Sequence, residues 1–335
     1  MAAAVKRKEQ SIETLRGIAI ILMVAGHVIG DNSGTGLQVR DESAWRYFYF
    51  TFEYLRMPLF TAISGFVYAL KPVQSDHIGR FLKGKSRRII LPFFTVATVQ
   101  YLMNALVPQV NNPVPLADIW KIYIFSYGQF WFLQALFLVF LTVVALEYNK
   151  ILDTIKGWAI SLGIAVIMLL VINQNYLINY FSISRYLYLL PFFLLGIGLN
   201  RFKDQLFKKP IILALLLTLI ITVTIQQLEW FEVINTKSHR FSAISVFVGI
   251  SGIWLIFHIR KPFKWLAEFG YYSYGIYLFH VFATAGSRIF AKMLGMENMV
   301  MLFFTGLIFG LIFPILLELI LLKSAILRRL FLGLR

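Results

Sequence analysis

The chain has 335 residues, 59% of them hydrophobic and 14% charged, with a mean hydropathy of +0.73. A water-soluble domain is about half apolar and a quarter charged, so an ordinary soluble enzyme is excluded and a membrane-embedded chain remains. The net charge of +16 would point to nucleic acid in a soluble protein, but its distribution assigns it elsewhere. The absence of cysteine excludes disulfides, cysteine-ligated metal and a thiol nucleophile.

A span needs about 20 apolar residues. Stretches at 12–30, 47–70, 89–107, 128–146, 157–173, 183–200, 211–229, 241–259, 266–287 and 299–322 each approach that length. The expected fold is therefore all-α, a polytopic membrane protein of about ten transmembrane helices. Residues 1–335 form one integral-membrane domain without a soluble linker or internal repeat. Lys6, Arg7 and Lys8 before the first stretch resemble a signal peptide. No A-x-A site follows, and Arg16 and His27 lie inside, so this stretch is read as a retained span.

Cytoplasmic connections near the membrane carry the excess of Lys and Arg. With the N-terminus inside, alternate segments hold 22 cations on the inner side against 7 on the outer, with Arg16, Arg56 and Arg185 left within spans. Both termini are therefore expected to be cytoplasmic. The positive charge is mostly topology and attraction to anionic lipid.

An ionisable group at membrane depth costs about 2.5–3.5 kcal/mol, which makes each one a candidate for function. Arg16 and His27 are eleven residues apart, close to three helical turns, so they share one face about 16 Å apart along the axis. They either form a polar site, or Arg16 snorkels to the interface and His27 is a bonded core histidine. Glu13, three residues before Arg16, can fix the guanidinium or simply favour the helix dipole.

Glu53 and Arg56 are likewise three apart in the second stretch, as a structural pair or part of a substrate site. The 71–88 connection, "KPVQSDHIGRFLKGKSRR", concentrates six cations, including Lys85, Arg87 and Arg88. Such a cluster suits anionic lipid or a phosphorylated cofactor. Arg185 lies near the outer end of the sixth stretch. His280 ends "YYSYGIYLFH", where Tyr and Ser can line a polar cavity, although taken alone it reads as core. His258 is interfacial, and Glu318 has no evident partner in the sequence. There is no G-x-S-x-G, H-E-x-x-H or Walker A motif and no Asp/His cluster at metal spacing.

Together these segments resemble the membrane-bound acyltransferase-3 family. Arg16, ten intervening residues and His27 in "LRGIAIILMVAGH" look like its Arg-x10-His signature. In order follow "MPLFTAISGFVY" (57–68), "KGKSRRIILPFF" (83–94), "GQFWFLQALF" (128–137), "LPFFLLGIGL" (190–199) and "YSYGIYLFH" (272–280). The resemblance implies a ten-helix acyltransferase that takes an acyl group, usually acetyl, from cytoplasmic acyl-CoA. The acceptor it implies is a hydroxyl of an envelope or exported glycan.

On that resemblance His27 is the catalytic histidine and Arg16 the signature arginine. Arg87 and Arg88, with Lys85, match the basic stretch near the CoA site. Glu13, Glu53, Arg56, Trp131 and His280 are expected to support the site. One departure stands out: some members carry paired glutamates after the fourth-span Trp, whereas Trp131 is followed by "FLQALFLVF". The chain thus resembles the glutamate-free subgroup, and no appended esterase-like domain is expected.

The partners this implies are acyl-CoA, a glycan acceptor and anionic lipid, with no metal and no nucleic acid, in a bacterial inner membrane. A histidine suits general-base catalysis near neutral pH and can also accept the acyl group itself. Arg16 can bind donor phosphate or support the oxyanion. A secondary transporter or polysaccharide exporter fits ten helices and buried charge too, although no two halves of the sequence look alike. The glycan, the acyl chain and the oligomeric state stay open.

Overall fold

The computed structural model describes residues 9–171 and 180–335. Lys6 to Lys8, most of the 174–182 outer segment and the last two residues of the 157–173 stretch lie outside the described residues. Helices dominate, and among the described residues the only β-pairing is an isolated bridge between Phe125 and Tyr180.

In chain order the helices are α1 (Gln10–Ile29), α2 (Ala44–Ala69), α3 (Ile78–Lys85), α4 (Leu91–Leu106), α5 (Lys121–Ile124), α6 (Trp131–Tyr148), α7 (Ile155–Val171) and α8 (Ile183–Arg201). They continue with α9 (Lys203–Leu206), α10 (Lys209–Trp230), α11 (Ala243–Ile259), α12 (Lys264–Tyr271), α13 (Ser273–Met293), α14 (Met299–Leu321) and α15 (Ala325–Leu332). Among the described residues, six helical stretches are long and apolar enough to cross a membrane, and α7 and α11 are shorter apolar helices. The protein is an all-α, polytopic membrane protein.

The helices assort into two compact units. Of the described residues, the first holds 9–52, 94–121 and 260–335; the second holds 53–93, 122–171 and 180–259. In the first, α1 packs against α12, α13 and α14. Contact between α1 and α12 is backbone to backbone: a side chain on Gly17 would strike the Leu266 carbonyl, and one on Gly270 would strike that of Glu13. Gly310 of α14 lies against both Val24 of α1 and Thr284 of α13. Small residues that let helices approach closely are the usual means of packing in lipid, where burying apolar surface gains nothing.

In the second unit α8 is the centre, buried along nearly its whole length and packed by α6, α7 and α11. α10 shows the lipid-facing pattern plainly. Leu213, Leu216, Leu217, Ile220 and Ile221 are exposed, while its buried residues are Thr222 and Gln226. In water that arrangement would be inside out; in lipid it places apolar surface where the solvent is apolar and leaves polar groups to be satisfied within the protein.

The 266–287 stretch departs from the sequence reading. It is not one span: α12 ends at Tyr271 and α13 begins at Ser273, with Tyr272 outside helical geometry (φ −93°, ψ 6°). α12 is amphipathic, burying Ala267 and Gly270 against α1 while Lys264, Trp265 and Glu268 stay exposed.

Candidate functional site

The polar groups of α1 lie in the first unit. Glu13 is wholly buried, and Arg16 Nη1 donates to both of its carboxylate oxygens, at 2.8 and 2.9 Å. The i,i+3 spacing brings the two side chains onto one face. The turn that carries them is held from outside α1 as well: the Phe263 amide donates to Thr14 Oγ1 at 2.9 Å, and Thr14 donates to the Gln10 carbonyl at 2.9 Å. With Gly270 seated on the Glu13 backbone, the Glu13–Arg16 pair sits at a fixed point.

Three turns further on, His27 is exposed although the residues on either side of it are buried. Its ring centroid lies 4.9 Å from that of His280 on α13. His280 is fully buried. Its Nδ1 lies 3.0 and 2.9 Å from the carbonyls of Ile276 and Tyr277; because carbonyls only accept, Nδ1 carries the proton. Its Nε2 is buried and has no hydrogen-bond partner among the described residues.

The chain beyond His27 folds back on the end of α1. Leu37 donates to the Val28 carbonyl at 2.9 Å, Arg46 Nη1 to Gly30, and Arg288 Nη1 and Asn111 Nδ2 to Gly36 at 2.5 and 3.2 Å. Sequence reasoning assigned Arg46 and Arg288 only to outer connections. Their partners are backbone carbonyls, for which a sequence carries no signal.

In the second unit, Lys85 places its ammonium 3.8 Å from the Phe140 ring centre and 5.1 Å from that of Phe81. Arg87 and Arg88 follow in a π-helical turn, Ser86–Ile90, that joins α3 to α4. Glu53 accepts from Arg240 Nε at 2.8 Å, a partner 187 residues away that spacing cannot reveal, and Arg56 is buried. The Arg185 guanidinium lies over the Trp131 ring at 5.2 Å. In the helix that follows Trp131, the buried Gln134 accepts from Ser182 Oγ at 2.6 Å, and Ser182 meets Ser126 at 2.7 Å. A neutral amide thus stands in the first turn after Trp131, where the sequence has no glutamate.

A polar cleft of about 590 Å³ opens among Pro72, Gln74, Ser75, Glu147, Lys150 and Arg201. Arg201 donates to Glu147 at 2.7 Å. Sequence reasoning missed this pair because both residues sit at the ends of apolar stretches, where charge is expected. Among the described residues, no group of three His, Asp or Glu side chains could hold a metal ion.

Long apolar helices that also carry a carboxylate, a guanidinium and two imidazoles define a multi-pass membrane protein. The acyltransferase-3 family model, an acyltransferase domain, matches residues 9–319. The chain belongs to that family and is a membrane acyltransferase. No curated protein and no solved structure matches it.

Proposed function

We propose that the protein moves an acyl group, acetyl in the simplest case, from cytoplasmic acyl-CoA to a hydroxyl of an envelope or exported glycan. In this reading it works in a bacterial inner membrane surrounded by anionic lipid, and residues 1–335 act as one acyltransferase domain. The observation that carries it is the exposure of His27 on the face of a buried helix, with a second imidazole beside it.

His27 is the general base. It takes the proton of the acceptor hydroxyl as the oxygen attacks the thioester carbonyl, and it returns a proton to the departing CoA sulfur when the tetrahedral intermediate collapses. Arg16 is about 16 Å away along α1, too far to touch the same carbonyl as His27. It therefore suits a donor phosphate, with Glu13 holding the guanidinium in place. Arg87 and Arg88 sit in the basic stretch that the resemblance assigns to the donor, where the Lys85 ammonium rests on Phe140 and Phe81, and in the same unit the polar cleft beside Pro72–Ser75 has room for a nucleotide. Glu53 and Trp131 support their own unit through Arg240 and Arg185, and Arg56 is buried within it. The family match leaves a transporter or exporter without positive support.

The test is acyl transfer in membranes containing the protein, with isotope-labelled acetyl-CoA and a mixed envelope-glycan fraction, and His27→Ala at matched abundance as control. Label on glycan that vanishes in the variant is the expected result. Failure of the wild-type protein to bind any acyl-CoA would overturn the reading.

A further inference from the structure

Among the described residues His280 makes no hydrogen bond through Nε2, although its side chain is fully buried. Burying a polar atom without a partner costs about 1–3 kcal/mol, and the great majority of such atoms are paired in native proteins. The other nitrogen is not free to vary: two carbonyls of α13's own turn hold the proton on Nδ1, so neutral His280 presents a lone pair at Nε2 and nothing to donate there.

Packing fixes where that lone pair sits. α1, α13 and α14 meet at small residues, Gly310 lying against Val24 and Thr284 and Gly306 against Val28. These contacts set the two histidines at a ring-centre separation of 4.9 Å. At that separation the imidazole edges are within reach of one bridging water.

We infer that His280 is a positioning residue for His27: its Nε2 accepts from one water that in turn accepts an N–H of His27, and so leaves the other His27 nitrogen unprotonated. The backbone of α13 fixes the tautomer of His280, and His280 in turn fixes that of His27. An orienting partner commonly selects which nitrogen of a functional histidine carries the proton, and carboxylates often fill that place. Here a neutral ring whose own proton is tied to carbonyls fills it. The inference rests on the acyl-transfer reading for its catalytic meaning, but the ring pair itself can be tested without catalysis.

The experiment compares wild type, His280→Leu and His280→Gln, all as the full chain in membranes at matched abundance and thermal stability. Gln can offer an oxygen acceptor in place of Nε2; Leu offers none. Carbethoxylation of His27 by diethyl pyrocarbonate, followed by peptide mass spectrometry at one pH, reads His27 alone, and kcat and the donor KM are measured in parallel.

Loss of a histidine-orienting partner costs roughly 10- to 100-fold at metal-site histidines. The same range is expected for His27 carbethoxylation and kcat in His280→Leu, with donor KM unchanged and substantial recovery in His280→Gln. Unaltered His27 reactivity in a folded His280→Leu protein overturns the inference, as does failure of His280→Gln to recover any of it. Should His280→Leu not fold, ¹⁵N spectra of histidine-labelled wild type decide, with His27→Gln used for assignment. A proton on Nδ1 of His280 supports the inference, and a proton on Nε2 overturns it. If the wild type transfers no acyl group while His27 reactivity still depends on His280, the histidine pair stands and the acyl-transfer reading falls.

Discussion

A single guanidinium nitrogen of Arg16 serves both oxygens of the fully buried Glu13 carboxylate, at 2.8 and 2.9 Å. The rest of the Arg16 head group is thereby aimed but not consumed by the pair. Removing the arginine leaves a carboxylate buried without its cation, a change that costs about 3–5 kcal/mol at buried pairs. Arg16→Ala is therefore expected to lower the melting temperature and raise the donor KM together. Arg16→Lys should restore much of the stability and less of the KM, because an ammonium lacks the guanidinium's fork. A thermal melt beside a donor titration separates the two effects.

His27→Ala is expected to lower the melting temperature by no more than a few degrees, since the side chain is exposed. Loss of a general base typically costs about 10²- to 10⁴-fold, and this should be read in kcat with donor affinity retained. A variant that melts normally, binds donor and turns over at the wild-type rate would remove His27 from the reaction.

Gly17→Leu tests the seam between α1 and α12. The new side chain meets the Leu266 carbonyl, a backbone atom that cannot rotate away. Overpacking costs typically about 1–3 kcal/mol, and the loss should appear as a lower melting temperature. Protease cleavage between residues 260 and 272 should rise in parallel, because that is the segment the clash would lift.

Arg87→Glu combined with Arg88→Glu is expected to weaken the donor, measured as a raised KM or a lost binding isotherm. Lys85→Met should differ. Its ammonium rests on Phe140 and Phe81, a contact worth about 0.5–2 kcal/mol, so stability should fall while donor affinity changes little. Equal effects of both changes on donor affinity would place Lys85 on the donor after all.

Span positions are legible wherever the apolar run is long and closed by charge or turn residues, as in α1, α10 and α14. Averaging over a membrane-length window hides the break at Tyr272, because Trp265, Leu266 and Phe269 keep α12 apolar while its exposed face carries Lys264 and Glu268. The Glu13–Arg16 pair is readable because helix spacing alone juxtaposes residues three apart. Spacing says nothing about Glu53 and Arg240, or about His27 and His280, which belong to separate helices. Those pairs are fixed by packing at small residues and by backbone hydrogen bonds, which leave no periodic trace.

The loop after α1 has a bearing on how a bulky acceptor reaches His27. Arg46, Arg288 and Asn111 come from three distant parts of the first unit, and all three grip the carbonyls of Gly30 and Gly36. Lifting the loop would break three side-chain hydrogen bonds to the backbone, two of them from cations. This end of the helix therefore behaves as a rigid collar. For the glycan acceptor proposed above, a rim held this firmly would select by the girth of the chain and the bulk of its branches.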